Sequence, residues 1–179
     1  ITLKPPKPHH KAQKRIVLYS KHLCERLTEL GCIAHKSLTL QFRTEEQVPT
    51  HLLRHFIRGY FDGDGCVSYW WQKSNPKLIS FNASIVATTD FCRCLADYLS
   101  SKINIDYVIR SATKNQNVTA AFKLSRKESI YTFMDWLYLD ANIYMKRKYD
   151  KYQYILQVVQ ELAKIKQPRK SPPKNYRSS

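Results

Sequence analysis

His51-Leu-Leu-Arg-His-Phe-Ile-Arg-Gly-Tyr-Phe-Asp-Gly-Asp-Gly65 sets apolar side chains at 52, 53, 56, 57, 60 and 61, the broad stripe of a buried helix. The helix runs into acid and glycine. The chain has four glycines, and three of them, Gly59, Gly63 and Gly65, fall within seven residues. Gly59 stands inside the apolar pattern, where glycine costs about 1 kcal/mol relative to alanine. Close approach of a second helix is the simplest compensation, because a missing side chain lets backbones touch. Gly63 and Gly65 bracket Asp64 where the helix must end, which fits backbone conformations other residues tolerate poorly.

Asp62 and Asp64 are the sharper feature. A helix C-terminus exposes carbonyl oxygens, so a carboxylate there is unfavourable by roughly 0.3–1 kcal/mol. Two acids beside carbonyls resemble a site for a hard cation such as magnesium, with water completing the shell. An EF-hand loop starting at Asp62 fails, since Cys66, Val67 and Lys73 stand where an acid or amide, a glycine and a glutamate are needed. A plain Asp-Gly-Asp-Gly turn from helix to strand is the competing reading.

Outward from this stretch, the pattern predicts a strand over 16–19 and a helix carrying Leu23, Leu27 and Leu30, with Ser20 as N-cap and Gly31 as stop. A strand is expected over 37–42. Downstream come strands over 66–72 and 78–87 around a Ser74-Asn75-Pro76 turn, and a helix over 89–101. Two more strands, 103–110 and 118–124, are joined through 114–117. Helices over 127–138 and 145–164 follow, and Pro168, Pro172 and Pro173 end the order. Val17-Leu-Tyr-Ser-Lys21 before one helix echoes Lys123-Leu-Ser-Arg-Lys127 before another, a sign of two related halves.

The net charge of +16 points to a polyanionic partner, but it is unevenly spread. Residues 1–21 and 164–179 each hold six Lys/Arg and no acid; the body between keeps 18 basic and 14 acidic residues, a net of +4. Basic ends of this kind add sequence-independent phosphate attraction, or serve as solvated tails. Five scattered cysteines without a C-x-x-C pair fit reduced thiols in an intracellular setting, and the gap of Cys92-x-Cys94 is too short for structural zinc. No apolar run reaches the roughly 20 residues of a membrane helix. The chain opens on Ile1 and reads as a piece of a longer product.

Ile57-Arg-Gly-Tyr-Phe-Asp-Gly-Asp-Gly65 resembles the nonapeptide of the LAGLIDADG homing endonucleases at both flanking glycines and both aspartates. Leu53–Val67 is similar to that family's motif helix. Ile85–Thr89 leading into a helix, and the run Trp136-Leu-Tyr-Leu-Asp-Ala-Asn-Ile-Tyr-Met-Lys-Arg-Lys-Tyr149, add to the likeness, which covers about 16–155.

The resemblance implies an α+β fold: a motif helix plus an antiparallel saddle sheet with flanking helices. It divides the chain into a basic Pro-rich arm (1–15), an incomplete first half (16–50), an endonuclease domain (51–165) and a basic disordered tail (166–179). It implies metal-dependent, site-specific cleavage of double-stranded DNA. Asp64 and the Gly63 carbonyl would hold Mg2+, and Asp62 would support the turn. Lys123 would act as the active-site lysine. Gly59, Ile57 and Tyr60 would face a second motif helix, and Lys73, Lys77, Arg110 and Lys114 would contact DNA.

Where the family often has a polar, water-positioning side chain at the end of its second strand, this chain has Val86. Only one motif is present, so the second is expected from upstream sequence or from a homodimer. The alternatives are a catalytically weak nucleic-acid binder or maturase holding DNA or intron RNA, and an intein endonuclease domain.

Overall fold

The computed structural model describes residues 2–4, 13–15, 17–32, 38–113 and 116–166. Two short strands, β1 (Thr2–Lys4) and β2 (Gln13–Arg15), pair antiparallel ahead of helix α1 (Lys21–Glu29). Ser20 caps α1 by accepting from the Leu23 amide. Gly31 follows the helix end at φ +79°, with its amide on the Thr28 carbonyl and the Cys32 amide on that of Leu27. This is the left-handed closure that glycine favours. A Cβ at Gly31 would also lie 1.9 Å from the Arg43 guanidinium.

A single 3-10 turn after Pro49 opens helix α2 (Leu53–Asp64), which buries Leu53, Ile57 and Phe61. Strands β3 (Cys66–Gln72) and β4 (Asn75–Thr88) then form a hairpin. Helix α3 (Thr89–Lys102) is capped by the Thr88 hydroxyl, which accepts from the Phe91 amide. Strands β5 (Val108–Thr113) and β6 (Gln116–Leu124), then helices α4 (Lys127–Tyr138) and α5 (Lys146–Lys166), complete the order. The four long strands form one antiparallel sheet, β3-β4-β6-β5. The architecture is the expected α+β one.

The register sorts side chains between two faces. Val67, Ala83 and Leu124 share one row, and Ile85, Phe122 and Ile109 another. Apart from the half-buried Ile109, these positions are buried, together with Ile57 and Phe61 of α2, Leu95 and Leu99 of α3, Ile130, Phe133 and Leu137 of α4, and Tyr152 and Ile155 of α5. The helices therefore cover one face. Alternate residues form the other: Cys66, Ser68 and Trp70 on β3, Ser80 to Val86 in steps of two on β4, Ala121 and Lys123 on β6, and Val108 and Arg110 on β5.

Several local expectations are corrected. Residues 38–42 form no strand; Leu40 is buried, its carbonyl accepts from the Thr88 hydroxyl, and Phe42 packs edge-on against Phe91 at 5.3 Å. Leu40 and Phe42 of this alternation pack into the core instead of pairing in a sheet, and residue 37 lies outside the described residues. Residues 17–20 are likewise not a strand, and residue 16 lies outside the described residues. The hairpin turn falls at 73–74, so Asn75 and Pro76 already belong to β4. β5 starts at Val108 instead of 103.

The order β1, β2, α1 repeats the order β5, β6, α4. α1 nevertheless buries none of its residues and leaves Leu23 and Leu27 exposed, whereas α4 buries Ile130, Phe133 and Leu137.

Candidate active site and nucleic-acid interface

α2 ends at Asp64, and the two motif acids have different surroundings. Asp62 is buried, and both of its oxygens are engaged: Oδ1 accepts from the Tyr138 hydroxyl at 2.7 Å and Oδ2 from the Met145 amide at 2.9 Å. Hydrogen bonds to a carboxylate are the strong kind. Asp62 thus ties the helix end to the last residue of α4 and to the segment that joins α4 to α5. Burial and this carboxylate push the Tyr138 phenol well above its ordinary range, so it stays protonated and donating.

Asp64, two residues on, is exposed. Its negative charge is felt by Tyr60, whose pKa is pushed up to about 12, first by burial, then by Asp64 and the Cys92 thiol.

The unfavourable electrostatics of this helix end have a counterweight that sequence reading missed. Lys148 on α5 is only 4% exposed, donates to the Phe61 carbonyl at 2.5 Å, and lies over the Phe61 ring at 5.3 Å. Desolvation, then Arg147, lower its pKa, while Asp62, Cys66 and Asp64 raise it. An ammonium at the C-terminal carbonyls of a helix is placed where the dipole favours it. Arg58, also buried, does the same for α4, donating to the Leu137 carbonyl at 3.3 Å. The clue to Lys148 was present in the run 136–149; its partner, 87 residues earlier, was not.

The motif glycines divide by role. A Cβ at Gly59 or Gly63 would meet nothing within 4 Å, and both residues are exposed. Leu52, His55, Gly59 and Gly63 follow helical spacing, so one side of α2 is bare. Ile57 is 1% exposed in this chain's own core, and Tyr60 stacks on Phe91 at 4.8 Å with its hydroxyl on the Val86 carbonyl. Of the three expected helix-contact residues, only Gly59 stands on the bare side. Gly63 is helical and Gly65 has φ −70°, so neither occupies the special backbone expected. Gly65 is required for space instead: a Cβ would lie 2.3 Å from the Phe61 ring.

On the uncovered sheet face, Cys66, Ser84, Lys123 and Val108 form one row, beginning directly after Asp64 and Gly65. Val86, Ala121 and Arg110 form the next. Lys123 is half-buried and Arg110 exposed, while Lys73 is exposed at the β3–β4 turn. Lys77 stands on β4 with its side chain outside the described ones, and Lys114 lies outside the described residues. Cys92 is buried against the Ala120 carbonyl and its thiol is pushed up by burial, whereas Cys94 is exposed, so the pair does not converge on zinc.

No protein-family model matches the chain, nor does any curated protein. Among solved structures it is similar to a homing endonuclease, I-TnaI, at 12% identity, covering 62% of this chain and 74% of that one, with a TM-score of 0.44. It is similar to LAGLIDADG meganuclease I-AabMI bound to uncleaved DNA at 13% identity, over 63% of this chain and 38% of that one, with a TM-score of 0.48. A third likeness is to the archaeal intron-encoded homing endonuclease I-Vdi141I complexed with DNA. There the identity is 17%, the coverage 68% of this chain and 90% of that one, and the TM-score 0.43.

Proposed function

We propose that this chain supplies one half of a metal-dependent, site-specific endonuclease of the LAGLIDADG kind, acting on double-stranded DNA. The observation that carries the reading is Asp64: an exposed carboxylate at a helix end, beside a bare glycine side and an uncovered polar sheet face.

The donor set fits a hard cation only as a shared site. Asp62 is consumed by Tyr138 and Met145, and among the described residues no three His, Cys, Asp or Glu gather. Asp64 with the Gly63 carbonyl would hold one side of a magnesium ion, leaving the other to a second acid. When bound, such an ion polarises a phosphate oxygen and activates water for in-line attack.

The chain's own residues do the rest. Lys148 and Asp62 fix the helix end. Lys123, in the row that starts beside the motif, presents an ammonium to charge developing on phosphate. Arg110, Lys73, Lys77 and Lys114 contact DNA. The Gly59–Gly63 side seats a second motif helix, from an upstream segment or a second copy. The bare α1, following its hairpin as α4 follows β5–β6, supports a two-half design.

A non-cleaving binder of DNA or intron RNA is the second reading. It is favoured by Val86, which is 52% exposed on the open face where a polar residue would position water. Incubation of the chain with a randomised duplex library in Mg2+ or EDTA separates the two. Discrete Mg2+-dependent ends support the nuclease; retention of duplex or of intron RNA without ends supports the binder.

A further inference from the structure

The open sheet face is chemically divided. Its β5–β6 part carries Arg110 and Lys123. Its β3–β4 part carries, among described side chains, no Lys or Arg at all: Ser68, Trp70 and Gln72 stand on β3, and Ser80, Asn82 and Ser84 on β4. Guanine is read chiefly by Arg or Lys, adenine by the paired donor and acceptor of a carboxamide, and the thymine methyl by apolar contact.

Gln72 donates from Nε2 to the Ser80 hydroxyl at 2.9 Å. Since Ser80 is the register partner of Trp70, Gln72 belongs to the same face despite the bulge at Trp71/Gln72. The bond fixes the carboxamide and leaves it a second N–H and the Oε1 acceptor. Beside it the Trp70 indole is 49% exposed, an apolar ring set among Ser68, Gln72 and Ser80. Asn82, in the row of Ser68, donates to Ser84 at 3.4 Å and keeps Oδ1 buried without a partner among the described residues. Rotation about its broad terminal torsion, at the expense of the long bond to Ser84, would turn that acceptor outward.

We propose that the β3–β4 hairpin selects A·T base pairs in the major groove, Gln72 and Asn82 pairing with adenine and Trp70 lying on the thymine methyl. This rests on the reading of the open face as a duplex-DNA surface. The rows place the selected block on the hairpin side of the site, away from any guanine read by Arg110.

The test is selection of binding sites by the full chain from random duplex DNA. Affinities are then measured for the selected site, for the same site with A·T changed to G·C, and for the same site with thymine replaced by uracil. An A·T block is expected, with at least about fivefold weaker binding for each G·C exchange. Uracil should weaken binding by the parent but not by Trp70→Ala, and Gln72→Ala should lose the preference at one position only. Selected sites without an A·T block, or a parent indifferent to uracil, overturn the proposal while leaving duplex binding intact. Failure to bind any duplex, or preference for single-stranded RNA through Trp70, removes the duplex reading itself. The uracil exchange in the parent needs no variant, so misfolding of a variant leaves a decisive result.

Discussion

Replacing Gly59 by alanine separates what a helix wants from what a partner wants. Glycine in a helix interior is worse than alanine by roughly 0.5–1 kcal/mol. Here the added Cβ meets nothing within 4 Å, so no clash offsets that gain. Gly59→Ala should therefore stabilise the isolated chain by up to about 1 kcal/mol, raising Tm by roughly 2–4 °C for a domain of this size. A second helix seated on Leu52, His55, Gly59 and Gly63 would feel the methyl at its closest approach, and overpacking of a tight contact costs about 1–3 kcal/mol. The assay is paired: thermal unfolding at low concentration, and duplex cleavage with sedimentation. The expected outcome for Gly59→Ala is a higher Tm with weaker self-association or cleavage. A lower Tm, or a higher Tm with both other readouts unchanged, refutes it.

Two further changes probe the framework. Tyr138→Phe removes a hydrogen bond to the buried Asp62 carboxylate and should cost about 1.5–3 kcal/mol in denaturant unfolding, as bonds to charged groups do; no loss of stability would mean the pair does not anchor the helix end. Gly31→Ala puts a side chain at φ +79° and into Arg43, and should destabilise by at least about 1 kcal/mol, whereas an unchanged unfolding midpoint would count against the closure of α1.

Patterns carried by neighbours in sequence were legible. The stripe of residues 52–61 placed α2, alternation placed β3 and β6, and Ser20 and Gly31 bounded α1 within a residue. The acids at 62 and 64 were readable as a contradiction of helix electrostatics. What resolves the contradiction lies far along the chain. Tyr138, Met145 and Lys148 reach the helix end across 76 to 87 residues, and no local pattern announces such contacts. Gly65 was singled out for the wrong reason, since its need is the space taken by Phe61, which is a property of packing and not of backbone preference. The alternation at 37–42 does not make a strand because Leu40 and Phe42 turn their apolar side chains into the core, and such plugs mimic the strand pattern.

Strand scission by the parent chain and by Asp64→Asn, compared at concentrations giving equal occupancy of the same duplex in Mg2+, is the most direct trial of the assignment. The exchange keeps shape and removes charge at an exposed position, so the fold and DNA affinity should persist while Mg2+-dependent cutting falls by orders of magnitude. Equal cutting by both proteins at matched occupancy would contradict it.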